Sequence, residues 1–316
     1  MKLASLLLTR IALAALTLLL VSVVTFAAVE IIPGDMATRY LGQEATPEAV
    51  AVLKKRMGLD RPAPERYLEW IRGVLAGDFG ESLASRRPVS EVLGPKIRNT
   101  AILAVAAFIL YLPLTLIPAA FSAINRDRAP DHLLTSLNLL AVSIPPFLLA
   151  TFLLVVFVVV LPWFPAISAV TEETSLWELS RVLVLPTATL AISMAAYTMR
   201  MLRDNLIEIL DADFVRMAEL KGMPRRRVLW RHALPNALGP SLNITALNVA
   251  FLVSGVVVVE KVFAYPGFGR QMVDALLVED QPVVQATVLL ASGVYIAANL
   301  LADLGQILLN PRLREN

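Results

Sequence analysis

The sequence contains no cysteine and only two histidines, His132 and His232. Disulfides, thiolate metal sites and cysteine nucleophiles are excluded by the first absence. Two imidazoles far apart in the chain leave little for a histidine metal site. Charge is also scarce. Asp, Glu, Lys and Arg make up 17% of the 316 residues, where a soluble domain carries about 25%. That deficit, beside 57% hydrophobic residues and a mean hydropathy of +0.68, points to a membrane protein. The net charge of +2 is too small for a general polyanion binder, and no nucleic-acid partner is expected. There is no His-Glu-x-x-His and no cluster of reactive side chains, which argues against an intramembrane hydrolase or redox enzyme.

What is present is a series of charge-free windows: 11–29, 99–125, 133–171, 182–199, 232–259 and 281–302. A spanning helix needs about 20 mainly apolar residues, so each window can hold one. The third is long, but Pro162-Trp163-Phe164-Pro165 stops its helix near residue 161. In the fifth, residues 232–240 read as interfacial and the span proper starts near Ser241. Six crossings are expected in an all-α, polytopic chain. Residues 1–29 could also be a cleaved leader with Lys2 and Arg10 as its basic start. Their apolar run exceeds the usual ~7–15 residues and has no Ala-x-Ala closure, which favours a retained span.

Direction follows from short loops. The 200–231 loop carries eight basic residues against five acidic, and the 126–132 loop carries Arg126 and Arg128. The 162–181 and 262–280 loops are net acidic. By the positive-inside rule both termini and the 200–231 loop are cytoplasmic, and the 30–98 segment lies outside. The expected organisation is an N-terminal region with the first span (1–31), an outer segment (32–98) and a core of five spans (99–316) holding a cytoplasmic loop at 204–240. In the outer segment Thr46 reads as an N-cap with Pro47 at the first helical position, followed by Val50, Leu53 and Met57 at helical spacing with Gly58 as a stop. Tyr67, Trp70, Ile71 and Val74 form a second stripe, and Gly73, Gly77 and Gly80 mark turns. A cap resting on the membrane part and a docking surface for an external partner are equally open readings.

The most charged stretch is "MAELKGMPRRRVLWRHALPNAL", Met217–Leu238. Asp211 and Asp213 suit a helix start, with Phe214, Val215 and Ala218 on one face. Gly222 sits where a glycine ends a helix, and Met223-Pro224 restarts the chain, Pro224 at a first helical position. In the second helix Leu229, Trp230, Ala233, Leu234 and Ala237 share one side, while Arg225, Arg231, His232 and Asn236 point away. Such a helix lies in the interface, apolar face down. A plain topology signal with a lipid-facing helix would also explain the composition.

The segment "DFVRMAELKG…VLWRHALPNALGP", with Ala218 three residues ahead of its Lys221-Gly222 and Leu234-Pro235 following, resembles the EAA loop of ABC importer permeases. More closely it is similar to the binding-protein-dependent dipeptide/oligopeptide (and nickel) permease family, in its first-permease (B-type) subunit. That loop has Glu-Ala-Ala before the glycine where this chain has Arg216-Met217-Ala218. "PGDMATRYLGQEATPEAVAVLKKRMGLDRP" (33–62), "GDFGES" (77–82), "SIPPFLLA" (143–150), "VVVVEKVFAYPGFG" (256–269), "NLLADL" (299–304) and "NPRLR" (310–314) continue the likeness in family order.

The resemblance implies a type I ABC importer permease fold in a bacterial or archaeal cytoplasmic (inner) membrane. It implies a second permease subunit, a different but homologous chain, and two ABC ATPase subunits. An extracytoplasmic solute-binding protein completes the set, with the lipid bilayer around it. The chain has no G-x-x-x-x-G-K-[ST] phosphate loop. It is therefore expected to hold no cofactor and to be no enzyme, ATP and Mg being bound by the partner ATPases. The coupling segment is expected at Arg216, Met217, Ala218, Glu219, Leu220, Lys221, Gly222, Met223 and Pro224. Ala218 would permit close approach, and Glu219 and Lys221 would pair with the partner's charges. Arg225, Arg231, His232 and Pro235 belong to the interfacial helix.

Polar residues inside spans carry a functional prior because burying them is costly. Asn243, Asn248, Ser254 and Glu260 are the candidates for lining the path, with helix–helix hydrogen bonding an equal competitor for the asparagines. Asn299 and Asp303 lie in the last span, Asp303 more in keeping with a structural or interfacial position. Pro113/Pro118 and Pro145/Pro146 are expected to kink their helices. The solute expected is a peptide; nickel, glutathione, an opine or an oligosaccharide would suit the same architecture. A stand-alone secondary transporter or channel shares the hydropathy, but inverted repeats and several buried charges are lacking.

Overall fold

The structure, a computed structural model, describes residues 2–31, 38, 41, 46–56, 60–170 and 174–309. Within these, the side chains of 2–7, 53, 56, 240–244, 246–247, 249–251, 253–255 and 302–309 lie outside the described set. The described chain is helical, its one β feature being an isolated bridge between Glu81 and Pro88. The helices are α1 (Lys2–Ile31), α2 (Pro47–Arg56), α3 (Ala63–Leu75), α4 (Val89–Ile124), α5 (Ala129–Ser143), α6 (Pro146–Leu154), α7 (Leu176–Leu210), α8 (Asp213–Leu220), α9 (Arg225–Val228), α10 (Leu234–Val262), α11 (Phe268–Leu277) and α12 (Gln281–Leu309). Four contain stretches long and apolar enough to cross a membrane: Leu8–Ile31, Val89–Ile124, Leu176–Leu210 and Gln281–Leu301. The bent pair α5–α6 adds a fifth if it crosses as one span. The remaining expected crossing falls on α10, many of whose side chains lie outside the described set.

Two compact units divide the chain. One joins Met1–Asn99 to Gly267–Ile296, a grouping that no linear division of the sequence anticipates. Within it, α3 is fastened to the end of α1. Phe26 meets the Tyr67 ring edge-on with centroids 5.5 Å apart, and the Ser22 and Tyr67 hydroxyls are 2.8 Å apart. Arg66 pairs with Glu30. The stripe expected at Tyr67 and Trp70 is thus a packing face against α1. Thr46 caps α2 as expected, its Oγ1 accepting from Ala49 N–H at 3.3 Å; Met57 and Gly58 lie outside the described residues. Gly77 and Gly80 do turn the chain, at φ +83° and +82°. Gly73 does not. It sits inside α3, where a Cβ would come within 3.1 Å of the Asp78 carbonyl.

Further along this unit, Asp280 is buried and gathers the 82–84 turn. It accepts from Ser82 Oγ at 2.5 Å, Leu83 N–H at 3.1 Å and Ala84 N–H at 3.3 Å. Val89 and Leu93 of α4 pack there with Ala275, Val283, Val284 and Ala286.

The second unit, Thr100–Pro266 with Ala297–Asn316, is built around α7. In that helix 61% of the apolar window is buried, against 28% or less in the other candidate spans. Its start is a capping box: Glu178 N–H donates to Ser175 Oγ at 3.2 Å and Ser175 N–H to Glu178 Oε2 at 3.1 Å. Alanines at 107, 150 and 191 are fully buried, and such small residues let helices approach closely in an apolar medium. Around them Leu103, Tyr111, Leu153, Leu190, Met194, Leu252, Val256 and Phe263 form one core.

The expected kink at Pro145/Pro146 is a bend of 105° between α5 and α6. Each residue before a proline is pushed out of the α region. Ile144 and Pro145 are accordingly extended, at ψ 119° and 144°. Beyond α6 a π-helical segment, Val155–Val160, carries the helix to the stop expected near residue 161.

Candidate functional site

α7 ends at Leu210 with Asp211 as its C-cap, and Ala212 is extended at ψ 147° before α8 begins. The expected aspartate cap is absent. Ala212 occupies that position with no side-chain bond, Asp213 stands in the first turn, and Asp211 pairs with Arg126 at 2.9 Å instead. The other end follows expectation. Gly222, at φ +78°, donates its N–H to Glu219 O at 2.9 Å, and Met223 N–H donates to Ala218 O at 3.3 Å. This crossed pair of bonds is the Schellman arrangement, which satisfies carbonyls left open by the last turn.

Only two residues of α8 are buried, Val215 and Ala218, against Val228, Ile209, Leu210 and Met223. The expectation that Ala218 offers close approach to a partner is therefore revised. Its small side chain lets α8 settle on its own chain. Phe214 also departs from its expected face; it is 46% exposed. With Met217 at 54% and Leu220 at 78%, it makes a solvent-facing apolar row spaced by three residues along α8. Arg216, Glu219, Lys221 and Gly222 are exposed around that row. The result is a short knob, closed at its far end by Gly222, whose apolar face has no cover among the described residues.

Pro224, expected at the first helical position, stands instead at the N-cap of α9, which begins at Arg225. From Arg225 the helix continues through a π segment, Leu229–Ala233, into α10. Pro235 supplies a reason for the wide turn. It has no N–H to give Arg231 O, and in a regular α-helix its ring would strike that carbonyl. The expected separate interfacial helix is thus the first part of α10's own helix. Its apolar side, Leu229, Ala233, Leu234 and Ala237, faces protein, packed on Ala119, Ala120 and Ala123 of α4 and Met199, Leu202 and Leu206 of α7. Trp230 is the exception, 47% exposed. Arg225, Arg231 and Pro235 are exposed and His232 is half-buried, and Glu219 lies 3.9 Å from Arg225.

A second polar site was missed by the sequence reading. Asp131, in the first turn of α5, is 1% exposed and ion-paired to Arg203 of α7 at 2.6 Å. The sequence signal was a second acid, after Arg126, Asp127 and Arg128; nothing in it named a partner 72 residues away.

Of the path candidates, Asn248 is tied to α7, donating to Thr198 Oγ1 at 2.7 Å and Met194 O at 3.2 Å. Glu260 is 0% exposed and accepts from the Thr100 hydroxyl. A carboxylate enclosed by its own chain lines no path surface, so the expectation for Glu260 gives way to a structural role. The side chains of Asn243, Ser254 and Asp303 lie outside the described set.

Residues 112–315 match the family described as binding-protein-dependent transport system inner membrane component. Residues 3–117 match its N-terminal membrane component. The chain is 36% identical over 310 residues to a protein named as a peptide transport system permease of Brucella abortus (strain 2308), covering 98% of this chain and 99% of the relative. It is 36% identical over 309 residues to a similarly named protein of Brucella suis biovar 1 (strain 1330), covering 98% of each. It is also 36% identical over 298 residues to the glutathione transport system permease protein GsiC of Salmonella typhimurium (strain LT2), covering 94% of this chain and 95% of the relative.

Proposed function

Because the chain belongs to the family of binding-protein-dependent transport system inner membrane components, we propose that it forms half of the translocation path of an ATP-driven importer for a peptide-class solute. It crosses the inner membrane six times, with both termini and the 204–240 loop in the cytoplasm. The excess of basic residues in that loop supports this direction. A second, homologous permease supplies the other half of the path, and an external binding protein presents the solute. Two ATPase subunits hold ATP and Mg; this chain is non-catalytic.

The observation that carries the coupling role is the uncovered row Phe214, Met217 and Leu220 on α8. An amphipathic helix that exposes apolar residues at i, i+3 and i+6 is recognised by laying that row into a hydrophobic groove. The groove belongs to an ATPase subunit. Its closure displaces the knob, and the helices joined to it tilt between inward- and outward-facing arrangements. A capped eight-residue helix, held by Gly222 at one end, transmits such a push better than a loop.

The test is co-purification of the ATPase subunits with the tagged chain. The wild type retains them. Met217→Glu with Leu220→Glu releases them while the chain remains in the membrane. Retention of ATPase subunits and of uptake by that variant would overturn the coupling role. Two relatives bear peptide-transport names and one bears glutathione, itself a tripeptide. Uptake of glutathione and of unmodified di- to pentapeptides, with nickel as the contrasting probe, decides the solute class.

A further inference from the structure

The ion pair between Asp131 and Arg203 has no role in the reading above, yet it is the most elaborately built polar site among the described residues. Arg203 engages both carboxylate oxygens, Nε to Oδ1 at 2.7 Å and Nη2 to Oδ2 at 2.6 Å. The Ser122 hydroxyl, fully buried at the end of α4, also donates to Oδ1. Asp127 N–H donates to Oδ2 at 3.0 Å, and Thr135 Oγ1, one turn further along α5, donates to Oδ1 at 3.4 Å. Five donors from α4, the following turn, α5 itself and α7 thus converge on one carboxylate of α5. Nearby, the exposed Arg126–Asp211 pair ties the same turn to the residue that ends α7.

A buried pair of this kind is a poor device for stability alone, since apolar replacements of similar volume are often as good or better. Its particular property is direction. A bidentate fork resists sliding and rotation, which apolar contact does not. Sliding is the relevant hazard at this end of the unit. The buried α4 residues in the cluster shared with α7 are alanines at 119, 120 and 123, with Leu116 half-buried beside them, and such short side chains interdigitate little with a neighbour. Arg203 also sits on the last two turns of α7, and Ile209 and Leu210 of that same end pack into the α8 cluster. A push on α8 therefore arrives first at the segment that holds Arg203.

We propose that Asp131 and Arg203 are positioning residues forming a transmission latch, which makes α4 and α5 move with α7 when α8 is displaced. The latch rests on the coupling role given to α8 above.

The experiment uses the complete transporter with its ATPase subunits, reconstituted in lipid. Because the chain lacks cysteine, spin labels go on Leu137→Cys of α5 and Tyr197→Cys of α7, both exposed. Electron–electron distances are measured without nucleotide and with ATP under non-hydrolysing conditions. With the latch intact the two states give the same single distance. Asp131→Asn or Arg203→Lys gives a second, ATP-dependent population, and hydrolysis proceeds with the label pair unlocked. Asp131→Leu with Arg203→Met regains thermal stability but not the single distance. The proposal is overturned if the single variants keep one distance in both states. It is equally overturned if the double apolar variant restores it, since packing would then suffice. Met217→Glu with Leu220→Glu serves as the control: if that variant still binds the ATPase and hydrolyses as the wild type does, the coupling role of α8 fails, whatever the latch variants show.

Discussion

Asn248 of α10 reaches α7 and donates to the Thr198 hydroxyl at 2.7 Å. Thr198 is itself buried and bonded to Met194 O at 3.3 Å, so the amide closes a small network between two helices. Interhelical hydrogen bonds inside a membrane contribute about 0.6 kcal/mol on average and up to about 2. Asn248→Ala should lower resistance to unfolding in detergent by roughly that amount, with uptake largely retained. A large loss of uptake at unchanged stability would instead make Asn248 a contact of the solute.

Gly222 has φ +78° and nothing within 4 Å of where a Cβ would stand. The cost of replacing it is therefore conformational and not steric crowding. Alanine should weaken the end of α8 by about 1–2 kcal/mol, and asparagine, which tolerates the left-handed region, by less. Valine should cost more than either. Thermal unfolding together with ATPase-subunit retention across Gly222→Asn, Ala and Val should rank in that order.

Asp280 holds the 82–84 turn through a hydroxyl and two backbone N–H groups. Removing it leaves those donors unmatched, at about 1–3 kcal/mol for a buried group. Arg86 is exposed just beyond the turn at φ +54°, and Arg87 is protected from trypsin by Pro88. Asp280→Ala should speed cleavage after Arg86 severalfold, followed by mass spectrometry of the fragments. Asp280→Asn, which keeps an acceptor oxygen, should do so less.

The 105° bend between α5 and α6 is attributed to the two prolines. Spin labels at Leu137→Cys and Phe152→Cys, both exposed and on opposite sides of the bend, should give one distance in the native chain. With Pro145→Ala and Pro146→Ala together the distance should lengthen or broaden as Ile144 regains access to the α region. An unchanged distribution would place the cause of the bend in packing against α7.

The sequence by itself determined where the helices lie and where they break. Charge-free windows of span length are read from composition alone, and the Thr46-Pro47 start, the Gly222 end and the Pro145-Pro146 break are signals of one or two adjacent residues that local backbone sterics is enough to read. The ordered family-like segments likewise needed no coordinates. Tertiary structure decided which face of each helix is occupied. Periodicity groups Phe214 with Val215 and Ala218, but only packing against Val228 and Ile209 turns the latter two inward and leaves Phe214, Met217 and Leu220 outside. It also decided that the Leu229–Ala237 face rests on α4 and α7 and not on lipid, because an apolar stripe looks the same whichever apolar surface covers it. Charge pairing was the least legible of all. Asp131 and Arg203 are separated by the whole α5–α7 hairpin, and a carboxylate in a sequence carries no mark of the arginine that folding will set against it.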